Sequence, residues 1–249
     1  MDLYSALTVL SKYINLRQNN DEIFIKLAKD GHVELVEAFI KLGADIHTDD
    51  DLAFRWASEK GHLAVVECLI ASGVNIHVYG DYALRWASNN GHLAIVEYLI
   101  KNGADIHAQN DEALIGASYD GHLDVVECLI KNGANIHAQN DEALRYASEN
   151  GHLAVVKLLI YNGCDIHAND EYALIGASVN GHLEIVEYLI SNGADIHAQN
   201  DWALRWASEY GHKDVVKYLN NHIKNEEIEE LQKQLLDIQN KLNVLMKTQ

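Results

Sequence analysis

Residues 111–140 read DEALIGASYDGHLDVVECLIKNGANIHAQN, and this stretch decides the fold because close copies of it fill most of the chain. A Gly-His pair recurs every thirty residues without insertion, its glycine standing at positions 31, 61, 91, 121, 151, 181 and 211. A second pattern, Gly-Ala-Asp-Ile-His or a close relative, begins at positions 43, 73, 103, 133, 163 and 193. Self-similarity at a fixed period predicts a repeat protein. We expect six full units over 21–200 and a shortened seventh over 201–223.

Each unit is predicted to form two helices. Asp111 is a plausible N-cap of the first helix, and Gly121 supplies the left-handed residue that ends it. The second helix carries apolar residues on two adjacent faces and ends at another such glycine, Gly133. A helical hairpin of thirty residues cannot bury both faces by itself, so the units are expected to stack on one another.

The unit resembles the ankyrin repeat, whose pattern includes A-A-x-x-G-H-L-x-V-V-x-x-L-L-x-x-G-A-D. The residues that carry the resemblance are Ala117-Ser118, Gly121-His122-Leu123, Val125-Val126, Leu129-Ile130 and Gly133-Ala134-Asn135-Ile136. The resemblance covers about 20–222 and implies an all-α solenoid of paired antiparallel helices. It also implies a module that binds other proteins.

The unit departs from the ankyrin pattern in one systematic way. Ankyrin units usually have 33 residues and a T-P-L-H start, whereas here the unit has thirty and starts Asp-x-Ala-Leu, as in Asp81-Tyr82-Ala83-Leu84. The missing residues fall where the family has its β-hairpin finger, so shortened fingers are expected. The uniform thirty-residue unit is similar to the ankyrin proteins of large amoeba-infecting DNA viruses.

The two ends of the chain do not follow the repeat. Residues 1–20 carry apolar residues at helical spacing and are predicted to form a helical cap. Residues 224–249 follow a heptad pattern instead, which predicts a coiled-coil helix. Its core positions are Ile228, Leu231, Leu235, Ile238, Leu242 and Leu245. Self-association, pairing with a foreign helix and folding back onto the solenoid are the three interpretations, and dimer, trimer and tetramer all stay open. A bend is expected in the polar stretch 220–225.

Composition narrows the classes of partner. The chain has 37 acidic and 19 basic residues and a formal net charge of −18. Such a surface repels phosphate backbones and anionic lipids, which argues against nucleic-acid and membrane binding. It favours a protein partner, and its charge would attract a basic one. Three widely spaced cysteines are typical of free thiols in a reducing compartment. With no export signal, we expect a cytoplasmic location, which is the host cytoplasm if the protein is viral.

No constellation for catalysis is found in the sequence. The fourteen histidines follow the repeat, and their spacing does not predict a metal site. They are interpreted as turn histidines bonded to nearby backbone. We therefore predict no enzymatic activity, no cofactor and no bound metal.

Function in a repeat protein is expected where the units differ. The first helix pairs an arginine with an aromatic residue in four units, and has Ile115-Gly116 or Ile175-Gly176 in two others. One interpretation is a groove of interface residues; the other is local packing, with arginine stacked on the ring. The candidate groove contains Arg55, Trp56, Arg85, Trp86, Tyr119, Arg145, Tyr146, Arg205, Trp206 and Tyr210.

These observations favour a protein-interaction scaffold that is oligomerised by its C-terminal coiled coil. Two alternatives remain at this point. One is an adaptor that recruits a host enzyme complex such as a ubiquitin ligase, and the other is a structural protein of virion assembly.

Overall fold

The computed structural model describes residues 20–247, so the helical cap predicted over 1–20 lies outside the described residues apart from its last position. Over this range the chain forms fourteen α-helices and no strand, which confirms the predicted all-α class. The helices are α1 (Asn20–Lys29), α2 (Val33–Lys41), α3 (Thr48–Lys60), α4 (Leu63–Ala71), α5 (Val78–Asn89), α6 (Leu93–Lys101), α7 (Ala108–Tyr119), α8 (Leu123–Lys131), α9 (Glu142–Glu149), α10 (Leu153–Tyr161), α11 (Ala168–Val179), α12 (Leu183–Ser191), α13 (Ala198–Glu209) and α14 (Lys213–Lys247).

The described residues divide into two compact units. The first contains 20–147 and 154–164, and the second contains 148–153 and 165–247. In the first unit, the first helix of each repeat packs on the first helix of the next, as α5 does on α7, and second helices pair likewise, as α6 does with α8. In the second unit, α11 packs on α13 and α12 packs on α14.

The core lies between the two helices of each repeat and between neighbouring repeats. In α7 and α8 the side chains of Leu114, Val125, Val126 and Leu129 are completely buried. Complete burial of such a side chain contributes about 1.5–3 kcal/mol, so stacking supplies the free energy that a single hairpin lacks.

A left-handed turn stands where the shortened finger was expected. Residues 109–111 have φ values of 54°, 58° and 60°, and the right-handed part of α7 follows at Glu112. Left-handed backbone costs about 1–2 kcal/mol per residue with a side chain, and Asn and Asp tolerate it best after Gly. The middle position of this turn is correspondingly Asp50, Gly80, Asn110, Asn140, Asp170 or Asn200.

Helix α14 runs without interruption through the stretch where a bend was expected, so that prediction was wrong. The stretch contains no Gly or Pro, and the helical cost of Asn or His is at most about 0.7 kcal/mol each. Asn220 also donates its side-chain amide to the carbonyl of Val216 at 2.9 Å, which keeps it inside the helix. The second helix of the seventh repeat and the heptad segment are therefore one element.

Candidate functional site

The histidine of the Gly-His pair joins neighbouring repeats. His122 Nε2–H donates to the backbone carbonyl of Asn89 at 3.0 Å, and a Cβ on Gly91 would come within 2.5 Å of His122 Nδ1. The predicted backbone bond is thus confirmed, but its acceptor lies 33 residues earlier, in the preceding repeat. The equivalent bonds are His62–Lys29, His92–Glu59, His182–Glu149 and His212–Val179.

The histidine that follows isoleucine bonds a side-chain carboxylate and not the backbone as predicted, and this carboxylate is buried in every pair except His197–Asp201. His107 Nδ1 lies 3.0 Å from Asp111 Oδ1, and the same oxygen accepts the backbone N–H of Asn135 in the next repeat at 2.7 Å. Asp111 does directly precede the right-handed part of α7, but its carboxylate holds these two groups instead of capping the helix as predicted. The other pairs are His47–Asp51, His77–Asp81, His137–Asp141, His167–Glu171 and His197–Asp201.

Two of these histidines have a perturbed pKa. The Glu171 carboxylate raises the pKa of His167 through its hydrogen bond. At His197 the Asp201 bond raises the pKa, and Glu226 of α14 adds to it from 3.1 Å on the Nε2 side. Within residues 20–247, no cluster of three or more His, Cys, Asp or Glu side chains has a geometry suited to a metal ion.

Two arginines of the Arg–aromatic pairs stabilise the left-handed turn. Arg85 donates from Nε to the carbonyl of Gly80 at 2.9 Å and from Nη2 to that of Tyr79 at 2.8 Å. Arg55 makes the corresponding bonds to the carbonyls of Asp50 and Asp49. These bonds give the two arginines a structural role in the turn, which differs from the stacking on the paired aromatic ring that the second interpretation described.

The aromatic members of the pairs have different surroundings. Trp56 lies between two ammonium groups, with Lys29 Nζ 3.7 Å and Lys60 Nζ 5.2 Å from its ring centroid. Trp86 stacks on Tyr82 at 5.5 Å and stays 38% exposed. The Arg145 guanidinium lies 4.1 Å from the ring centroid of Tyr146.

Four of the predicted groove residues meet at one pocket of about 370 Å³ in the first unit: Arg85, Trp86, Tyr119 and Tyr146. Tyr119 and Tyr146 are in edge-to-face contact there at 5.3 Å. The rest of the lining is Asn89, Glu112, Ile115, Gly116, Gln139 and Glu142.

Gly116 gives this pocket its space. It stands where other repeats have Trp or Tyr, and a Cβ on it would come within 2.6 Å of Asn89 Oδ1. The sequence analysis singled out Gly116, which replaces the aromatic residue, but missed Glu112 and Glu142. These two stand at the variable position of Asp-x-Ala-Leu, where other repeats carry Leu, Tyr or Trp, and that variation was the signal that could have found them.

The remaining predicted groove residues do not line this pocket. Arg55 and Trp56 belong to an earlier repeat of the first unit, and Arg145 lies beside the pocket, where its guanidinium contacts the Tyr146 ring and its Nη2 donates to Glu142 Oε1. In the second unit, Trp206 stacks on Tyr210 at 5.9 Å and meets Trp202, which was not predicted, edge-on at 6.5 Å. Arg205 lies at an open cavity there, beside Leu204, Ser208, Glu209, Val216 and Asn220.

Beyond its first turns, α14 exposes its apolar residues. Val215 and Leu219 are buried, whereas every described side chain from Lys224 to Asn243 is exposed. The predicted heptad positions Ile228, Leu231, Leu235, Ile238 and Leu242 are 51–63% exposed, and the side chain of Leu245 lies outside the described set. The segment thus does not fold back onto the repeats.

None of the described helices combines the length and the apolar composition that crossing a membrane requires. The thiols of Cys68 and Cys128 are free, and partial burial raises the pKa of both, which lowers their reactivity.

Comparison with known families agrees with this architecture. The model for ankyrin repeats in three copies matches residues 24–110, 84–170 and 144–230. No curated protein matches the chain significantly. Ankyrin repeats are typically interaction modules without catalytic activity, and their stacked helices form extended binding surfaces. Since the matches together span well over half of its length, the chain belongs to the ankyrin repeat family.

Proposed function

We propose that the protein is a binding scaffold that holds a protein partner at the pocket of the first unit and is oligomerised by its C-terminal helix. The observation that carries the proposal is the convergence of Trp86, Tyr119 and Tyr146 on one partly exposed pocket around Gly116. Trp, Tyr and Arg dominate the energetics of protein interfaces, above all when they line a pocket that a partner side chain can fill.

The charge of the repeats supports a basic partner. Residues 224–249 contain five acidic and four basic side chains, so 17 of the 18 net negative charges belong to residues 1–223. A field of this sign accelerates the approach of a positively charged protein and disfavours acidic competitors. The scaffold is expected to act in the cytoplasm, of an amoebal host if the resemblance to viral proteins holds.

The exposed heptad of α14 supports self-association. The segment is almost neutral, so copies of it can approach without the repulsion that the repeats would create. The residues that flank the heptad core are mostly uncharged, among them Gln232, Gln234 and Gln239. Joining two or more scaffolds multiplies the number of pockets and increases avidity without any new contact.

Affinity capture with matched variants tests the scaffold. The full chain, Trp86→Ala and Trp56→Ala are used as baits in an extract of virus-infected amoebae, and bound proteins are quantified. We expect a basic protein that Trp86→Ala loses by about tenfold or more, in keeping with an interface hot spot. Trp56→Ala removes the same side chain outside the pocket and should retain it.

Equal capture by all three baits would contradict the role of the pocket. Ubiquitin-ligase subunits or virion proteins as the sole captured species would instead favour the adaptor or the assembly protein.

A further inference from the structure

We propose that the pocket binds the side-chain ammonium of a lysine in a basic partner segment. This inference rests on the proposed function and adds the chemistry of the bound group. It concerns the pocket formed by Trp86, Tyr119 and Tyr146 with Glu112 and Glu142 on its rim.

The aromatic lining has the composition of a cation site. Trp86 is 38% and Tyr119 46% exposed, so solvent reaches both rings, and Tyr146, whose ring the Arg145 guanidinium already contacts, is half-buried beside them. Aromatic faces attract ammonium groups within about 6 Å, and Trp does so most strongly. A volume of about 370 Å³ accommodates one long side chain rather than a folded surface.

The molecule already shows this interaction at an equivalent position. Trp56 occupies the same place in its repeat as Trp86, and Lys29 Nζ lies 3.7 Å from the centroid of its ring. At Trp86, the positions that correspond to Lys29 and Lys60 are occupied by Glu59 and Asn90. The chain therefore supplies the lysines to Trp56 but not to Trp86, and a partner can supply one there.

Charge around the pocket favours the same ligand. Two guanidinium groups lie at the pocket, and each is paired: Arg85 with Glu112 and the carbonyls of Tyr79 and Gly80, and Arg145 with Glu142. The Glu112 side chain is half exposed and has further acceptor capacity toward the pocket. An incoming ammonium thus meets aromatic faces and a carboxylate within a strongly acidic repeat array.

Fluorine NMR of the full chain labelled with 5-fluorotryptophan tests this inference. The chain has four tryptophans, so four signals can be assigned with Trp→Phe variants. The probes are Nα-acetyl-lysine N-methylamide and its uncharged analogue Nα-acetyl-norleucine N-methylamide. We expect the lysine probe to shift the Trp86 signal and to bind about 2- to 30-fold more tightly than the norleucine probe. The Trp56 signal should move less, because the Lys29 ammonium already contacts that ring.

Tyr119→Ala is the matched variant, because it leaves the net charge unchanged and removes an exposed ring. It should weaken binding of the lysine probe. An unaltered thermal unfolding midpoint shows that the variant still folds. Equal shifts from both probes, or retention of binding by Tyr119→Ala, would overturn the inference. Either result leaves the capture experiment free to support a pocket that takes an apolar side chain, so the two proposals fail separately.

Discussion

In α7 and α8 the side chains of Leu114, Val126 and Leu129 are completely buried, whereas in α14 those of Leu231 and Leu235 are more than half exposed. Both regions are amphipathic helices of ordinary composition. In the repeats, the next hairpin of the same chain covers the apolar face, its histidine donates to a carbonyl of the preceding repeat, and its backbone N–H donates to the preceding aspartate. Between residues 224 and 243 no part of the described chain covers the apolar side chains, and the repeats contact this segment through the His197–Glu226 bond. The comparison teaches that the repeats complete their own core, whereas the apolar side chains of the C-terminal helix stay exposed, which supports the proposal that another copy covers them.

The largest loss of stability is expected at a glycine that packs against the histidine ring of the next repeat. Gly91 has φ +74° and lies against the His122 ring, whereas Gly103 has φ +95° and has no atom within 4 Å of an added Cβ. Gly91→Ala therefore combines backbone strain with a clash and should lower the free energy of unfolding by about 2–4 kcal/mol. Gly103→Ala adds strain alone and should cost about 1 kcal/mol. Urea unfolding of both variants measures the difference, and equal losses in the free energy of unfolding would refute the close packing of His122 on Gly91.

The second-largest loss of stability is expected from substitution of the buried aspartate Asp111. Asp111→Ala removes the acceptor of both His107 and the Asn135 N–H and should cost about 2–3 kcal/mol. The matched variant is Asp201→Ala at the edge of the second unit, where the carboxylate is 43% exposed and the loss should stay below about 1 kcal/mol. The unfolding midpoint in urea again reports both. A larger loss in the free energy of unfolding from Asp201→Ala than from Asp111→Ala would show that burial does not determine how much these carboxylates stabilise the fold.

A smaller effect, this time a gain in stability, is expected at a glycine inside one of the first helices. Gly176 lies in the interior of α11, and a Cβ there would meet Glu149 Cβ at an ordinary 3.4 Å. Gly176→Ala should raise the free energy of unfolding by about 0.5–1 kcal/mol, because Ala is the better helix former. Gly116→Ala should gain less, since Asn89 must move aside. Thermal unfolding checks the sign, and destabilisation by Gly176→Ala would contradict the described packing.

The smallest effect concerns the junction of α14 with the last repeat. The folded pKa of His197 is raised above its ordinary 6.5, so the stabilisation is complete below that value and is lost as the pH rises through the folded pKa. Because His197 is largely exposed, the change should stay below about 0.5 kcal/mol.

Glu226→Gln isolates this contact. It removes the carboxylate at Nε2 and should lower the pKa of His197 while leaving that of His167 unchanged. An NMR titration of the histidine ring protons follows both. A His197 pKa that does not move would exclude the contact.

Much of the fold was predictable from the sequence because a strict period reports repeated packing. The Gly-His spacing predicted the hairpins, and Gly121 and Gly133 do adopt the left-handed conformation expected of them. The three-residue left-handed turn was not predictable, since Gln109 and Asn110 have no local preference strong enough to impose it. Arg85 bonds the carbonyls of the turn in its own unit, but the turn at 109–111 forms with Ile115 in place of the arginine, so the arginine bonds reinforce the turn without being required for it.

The candidate site was predicted in part for the same reason. Variation between units pointed to Trp86, Tyr119 and Tyr146, but not to which of the aromatic residues share a pocket. Pocket formation depends on the missing side chain at Gly116 between two aromatic neighbours. Helix α14 continues through Asn220, where a bend was predicted, because helix continuity depends on the absence of Gly and Pro more than on polarity.

Sedimentation equilibrium of the full chain, with two leucine variants, tests the claim that α14 is completed by another copy. Leu235 lies in the heptad core and the adjacent Leu236 outside it, and they are 55% and 58% exposed. We predict an oligomer for the unmodified chain and for Leu236→Glu, and a monomer of 27.9 kDa for Leu235→Glu, which carries the same added charge. An unmodified chain that sediments as a 27.9 kDa monomer would contradict the account.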